Sequence, residues 1–254
     1  MALLEVKNIN RSFGGLRAVN NVSFDVVKGQ IKAVIGPNGA GKTTIFNLIA
    51  GALRPDSGAI NFNGASIYRL PPYRIAMRGI SRTFQNIKLF AHMTVLENIM
   101  VGRHTRSRAG FASAMLALPW TWREERDIAE KGGGLAELLG IGDLLGAEAG
   151  SLPFGKQRAV EFARALASEP ELLLLDEPAA GLNIYETKEL AEIIAKIRDL
   201  GITILLIEHD MSLVMNISDE IVVLSYGERI AEGKPSDVQK NSDVIAVYLG
   251  GESA

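Results

Sequence analysis

The chain has 254 residues, 47% of them hydrophobic and 22% charged, a balance that fills a large core and fits one large domain or a domain with an insertion. Twenty-seven Lys and Arg against 29 Asp and Glu leave a formal charge of -2, which argues against a nucleic-acid partner held by a basic face. The absence of cysteine excludes disulfides, iron–sulfur clusters and thiolate zinc sites, and suits a reducing compartment.

The first twenty residues carry charges throughout, so no secretory hydrophobic stretch is expected, and no apolar run reaches the roughly 18 residues of a bilayer span. LLEVKNINRSF, Gly14-Gly15 and AVNNVSFDV read as half-exposed antiparallel strands. The apolar run from Ile31 to Ile35 reads as a buried strand, and Ile45, Phe46, Leu48 and Ile49 as one face of a helix. Between them lies Gly36-Pro37-Asn38-Gly39-Ala40-Gly41-Lys42-Thr43, followed by Thr44, which matches G-x-x-x-x-G-K-[ST] in the strand–helix setting that motif needs. Its glycines let successive N–H groups face one concavity, and the helix start adds partial positive charge. Lys42 can then reach the outer phosphates of a nucleoside triphosphate, and the Thr43 hydroxyl can ligate Mg²⁺. The alternative is a glycine-rich turn without a ligand. Residues 58–62 read as a strand turning at Asn63-Gly64, Pro71-Pro72 opens a short helix, and residues 80–84 form a strand leading to Gln85.

After Thr94 the spacing becomes helical, and residues from about 94 to 152 read as a helical insertion in an α/β core. Lys131-Gly132-Gly133-Gly134 is expected to bend or break it, since each helical glycine costs about 1 kcal/mol. Arg103, His104, Arg106 and Arg108 read as a solvated loop. Strands and helices then alternate from residue 155 to 224, arguing for a mainly parallel sheet covered on both faces, with residues 228–233 closing it and a small helix before a frayed tail.

Leu172-Leu173-Leu174-Leu175-Asp176-Glu177 is the second chemical feature: a strand buried on both faces with two acids at its carboxyl end, where α/β sheets place ligands. Neighbouring residues leaving a strand point to opposite sides. Asp176 suits the metal, and Glu177 a general base for water near the γ-phosphate. Acids ending a strand are often only turn formers. Paired with the phosphate loop, they make a site.

With these two motifs the chain resembles ATP-binding-cassette (ABC) ATPases along essentially its whole length. Gln85 in RTFQN, the signature-like Leu152-Pro153-Phe154-Gly155-Lys156, PAAGLN after the acids and His209 in LLIEHD stand in the family's order. The resemblance implies a P-loop NTPase core with a mainly parallel sheet, an N-terminal antiparallel β subdomain and an inserted α-helical subdomain. Residues 1–93 and 153–254 would form the core, and about 94–152 the helical part. It implies ATP and Mg²⁺ as cofactors. Gln85 would touch the metal or the attacking water, and His209 the γ-phosphate. Phe13 would stack on adenine, although a strand phenylalanine is more often core, and Gly155 would meet the ATP held by an opposing subunit.

RTFQNIKLFAHMTVLENIMVGRH, DEPAAGLN and LLIEHDM look more closely like the ATP-binding subunit of high-affinity branched-chain amino-acid transporters; similar subunits serve urea or lipopolysaccharide export. The resemblance therefore implies an ATPase that dimerises head to tail with a copy or, preferably, a paralogue. It would drive an integral membrane permease from the cytoplasmic face of the membrane, with an extracytoplasmic solute-binding protein as indirect partner and no nucleic acid. A non-transport ABC ATPase is the alternative class. Pro153 and Lys156 depart from the usual LSGGQ, and Asn183 stands where many relatives carry Asp, which puts the usual cross-subunit contacts of those positions in doubt.

Overall fold

A computed structural model of the chain describes residues 2–83, 85, 87–106 and 119–249. It divides into two compact units, Met1–Arg82 with Glu171–Ala254, and Thr83–Pro170.

In the first unit β1 (Ala2–Phe13) and β2 (Leu16–Val27) pair antiparallel. Their alternation slips for a local reason. Asn8 and Asn21 both take left-handed backbone, at φ 49° and 52°, and the register shifts between Val6 and Ile9, so that both apolar residues are buried. Asparagine tolerates this conformation far better than a β-branched residue. After β3 (Ile31–Ile35), β4 (Ser57–Phe62) pairs with β1 and turns back to β5 (Ala65–Ser66). The turn is Asn63-Gly64 with two consecutive positive φ values, as a two-residue hairpin requires.

The second sheet adds β6 (Ile80–Arg82), β7 (Leu172–Asp176), β8 (Thr203–Ile207), β9 (Glu220–Ser225) and β10 (Glu228–Gly233) to β3, in the order β10-β9-β3-β8-β7-β6. All its pairings are parallel except β9 with β10. Every residue of β3, β7 and β8 is buried, which is why these segments read as continuous apolar runs. Because β3, β8 and β7 are neighbours and parallel, the loops at their carboxyl ends lie side by side.

The described helices are, in chain order, α1 (Lys42–Ile49) and α2 (Pro72–Met77), then α3 (Val95–Gly102), α4 (Pro119–Leu138) and α5 (Phe154–Leu166) of the second unit, then α6 (Ile184–Asp199), α7 (Met211–Ile217), α8 (Pro235–Val238) and α9 (Ser242–Leu249). Ile45, Phe46, Leu48 and Ile49 of α1 join a core that includes Val34, Leu174 and Ile207 of the second sheet and Val6 and Phe62 of the first.

In the second unit α3 begins with a capping box between Thr94 and Glu97 and packs on α4 and α5. The helices cross closely: a Cβ on Gly102 would lie 2.0 Å from the Arg164 carbonyl oxygen. This unit takes in α5 as well as residues 94–152, because α5 packs on α3 and α4. The expected break at Gly132-Gly133-Gly134 does not occur, and α4 runs through all three. Tertiary contact offsets the poor propensity, since a Cβ on Gly132 would sit 3.2 Å from Leu96 Cδ1 and 3.3 Å from Ile99 Cγ2. Arg103 is not a solvated loop residue either. It lies in a 3₁₀ turn, pairs with Glu169 at 2.8 Å and donates to the Ala167 carbonyl. Arg108, like Phe84 and residues 111–118, lies outside the described residues. Among the described residues no helix is long and apolar enough to cross a membrane.

Candidate nucleotide site

The loop between β3 and α1 has the backbone that its glycines foretell. Gly36 and Gly41 sit at φ 147° and 98°, and a Cβ on either would fall 2.1 Å from the Leu224 oxygen or 2.4 Å from the Ala18 oxygen. No other residue fits there. The β9–β10 turn braces the loop, as the Gly227 N–H donates to the Ala40 carbonyl at 3.1 Å. Gly41 caps α1 without a side-chain partner, so the N–H groups of the first turn point into the cradle of residues 36–41 without a side-chain cap.

Lys42, 7% exposed, donates its ammonium to the carbonyls of Gly36 at 2.6 Å and Pro37 at 3.0 Å. Burial pulls its pKa down from the usual value, while the charges of Glu177 and Asp176 pull the other way. Thr43 is exposed and Thr44 half-buried in the turn that follows.

Asp176 ends β7 almost fully buried, and its Oδ2 is held at 2.6 Å by Arg82 of β6. Arg82 also donates to Asn47 of α1 at 2.7 Å, so one guanidinium links β6, β7 and α1. Glu177 has left-handed backbone, φ 48°, and its N–H bonds the Ile207 carbonyl at 2.9 Å. Its Oε2 lies 3.9 Å from Nδ1 of His209, whose side chain is 64% exposed. The first unit therefore brings together Lys42, Asp176, Glu177 and His209 at the carboxyl ends of β3, β7 and β8.

Phe13 ends β1 with its ring partly exposed, and the Arg11 guanidinium covers it at 4.8 Å from the centroid. Arg11 is in turn held by Asp56 at 2.8 Å. Gln85 and Gly155 belong to the second unit. Gln85 is exposed, and its carbonyl accepts from the buried Arg158 at 3.3 Å. Gly155 lies in the first turn of α5, where Pro153 is an N-cap without a side-chain bond and Lys156 donates to the Gly140 carbonyl at 3.1 Å. Asn183, instead of the usual Asp, caps α6 in a reciprocal box with Glu186.

Sequence reading missed Arg11, Arg82 and Glu208. An acid directly after TILLI was the available signal for Glu208, whereas Arg82, among Ser81 and Thr83, carried none.

A strand–loop–helix phosphate cradle facing an acidic strand end on a mainly parallel sheet marks a P-loop nucleoside triphosphatase. A profile of the ABC transporter family matches residues 19–180, and the chain belongs to that family. A second profile, for the branched-chain amino acid ATP-binding cassette transporter, matches residues 228–254. The chain is 45% identical over 249 residues to the high-affinity branched-chain amino acid transport ATP-binding protein BraF of Pseudomonas aeruginosa, covering 98% of each. It is equally similar to LivG of Escherichia coli, at 45% identity and the same coverage. Its fold matches the ADP conformation of MJ1267, an ATP-binding cassette of an ABC transporter, with a TM-score of 0.87 and 34% identity over 98% of this chain and 99% of that one. The protein is an ATP-hydrolysing subunit of a transporter.

Proposed function

We propose that this subunit powers import of branched-chain amino acids through an integral membrane permease, docked peripherally at its cytoplasmic face as one half of a head-to-tail ATPase dimer. BraF and LivG, named for that transport, support the solute class. Residues 36–44 would hold the triphosphate and Phe13 the adenine. Glu177 would take the proton of the attacking water, His209 would contact the γ-phosphate, and Gly155 would meet the ATP of the opposite subunit. The observation that carries this reading is the convergence of Lys42, after β3, with Asp176 and Glu177, at the end of β7, across the intervening β8.

The donor set fits Mg²⁺. A Thr43 hydroxyl and the Asp176 carboxylate are hard oxygens. Among the described residues no group of three or more His, Cys, Asp or Glu forms a metal site by itself. A bound triphosphate and water would supply the remaining oxygens. When bound, Mg²⁺ neutralises charge that builds on the β- and γ-oxygens. The protein's own part is to cradle the phosphates on main-chain amides, hold the Lys42 ammonium on the outer oxygens and aim the Glu177 carboxylate at water.

Lys42→Ala is expected to abolish ATP binding or turnover, and Glu177→Gln to keep binding while lowering turnover by about a hundredfold or more. Titration with a fluorescent ATP analogue beside a phosphate-release assay reads both. A Glu177→Gln protein with unimpaired turnover would overturn the base. Leucine uptake into vesicles carrying the reconstituted complex, competed by isoleucine and valine but not by urea, tests the solute.

A further inference from the structure

The site leaves one fully buried carboxylate without a role. Glu208 follows β8 directly and is 0% exposed. Its Oε1 accepts from the Ala179 N–H at 2.7 Å, and its Oε2 accepts from the N–H groups of His209 at 2.9 Å and Asp210 at 3.2 Å. The same Oε2 lies 3.8 Å from Nδ1 of His209. Its hydrogen bonds therefore go to the main chain of two loops, one carrying Glu177 and the other carrying His209.

Two observations give this geometry a purpose. Glu177 holds a backbone conformation rare for a residue with a side chain, and the turn around it is tied to the end of β8 on both sides, by Ile207 at residue 177 and by Glu208 at residue 179. The second is chemical. Both oxygens of residue 208 meet donors, and only a carboxylate accepts at both; a glutamine would aim its NH₂ at an N–H group on one side or the other.

We infer that Glu208 is a positioning residue that locks the turn of Glu177 and the loop of His209 into one register, so that the base and the histidine reach the γ-phosphate together. Glu208 would act through those two residues and not on the phosphate itself. This inference rests on the reading of Glu177 and His209 given above.

The test uses the full chain with Mg·ATP. Glu208→Gln should lower kcat about tenfold or more while the affinity for a fluorescent ATP analogue stays within about twofold of wild type and the number of binding sites per chain is unchanged, whereas loss of folded protein would lower that number in step with kcat. Glu208→Asp, with both acceptors on a shorter arm, should fall between them, and it is the variant to read if Glu208→Gln does not fold by circular dichroism. In a Glu177→Gln background, Glu208→Gln should cost no further single-turnover rate, since residues acting as a unit are not additive. A kcat of Glu208→Gln or Glu208→Asp near wild type, or losses that multiply in the double variant, would overturn the inference. Wild type without ATP binding, or Glu177→Gln with normal turnover, would instead overturn the reading of the site.

Discussion

At the scale of single residues, the glycines of the phosphate-loop motif set its backbone, and tertiary packing places the side chains around it. Gly36 and Gly41 are the only residues their φ values and close neighbours allow, so the motif spells its own backbone. Arg11 carries no such mark, being two residues from Phe13 in an ordinary-looking strand. It matters because alternate residues of a strand share a face, so its cation backs the aromatic ring. On the proposal that Phe13 stacks on adenine, Arg11→Met should weaken ATP binding by about two- to fivefold, the equivalent of roughly 0.5–1 kcal/mol for an exposed cation–π contact. Binding of inorganic tripolyphosphate, which has no base to stack, should not change. Isothermal titration with the two ligands separates them.

At the scale of elements, the buried strands followed from local pattern, whereas α4 did not. Propensity alone places a break at residues 132–134, yet the helix runs on because α3 lies against Gly132. The three glycines are therefore not equivalent. Gly134 faces open space, so Gly134→Ala should stabilise the protein by up to about 1 kcal/mol through helix propensity. Gly132→Ala should gain nothing or lose stability, because its new methyl would press on Leu96 and Ile99 at 3.2–3.3 Å. Urea unfolding of the two variants side by side checks the contrast. Asn183 shows the same lesson at a helix end. Its side chain is already used as the cap of α6, a role that Asp performs as well, so the departure from the family residue leaves this helix start intact.

At the scale of the whole molecule, the strand order was not legible in any one segment. It follows from which runs are buried on both faces, and the sequence conceals one exception. Lys32, in the central β3, is almost fully buried, yet it pairs with Glu232 at 2.6 Å and Glu220 at 3.0 Å and donates to the Asp25 carbonyl, joining β2, β3, β9 and β10. Burial pushes the Glu220 carboxyl up, but bonding and charge from Lys32, with help from Gln30 and Lys234, outweigh it and hold the pKa below its ordinary value. A lowered folded pKa means that the unfolded chain binds more protons, so this contribution is complete above about pH 4.5 and is lost as pH falls through the folded value. Lys32→Met should cost about 2 kcal/mol at pH 7 and should flatten the loss of stability on acidification. Thermal melts at pH 7 and pH 4 would show both effects.

The ammonium of Lys42 is gripped by two carbonyls of its own loop, which makes capture of a phosphate an exchange of partners. Lys42 must leave those carbonyls to meet an outer oxygen, and a chain of phosphates offsets the exchange by offering further oxygens to the amides that follow.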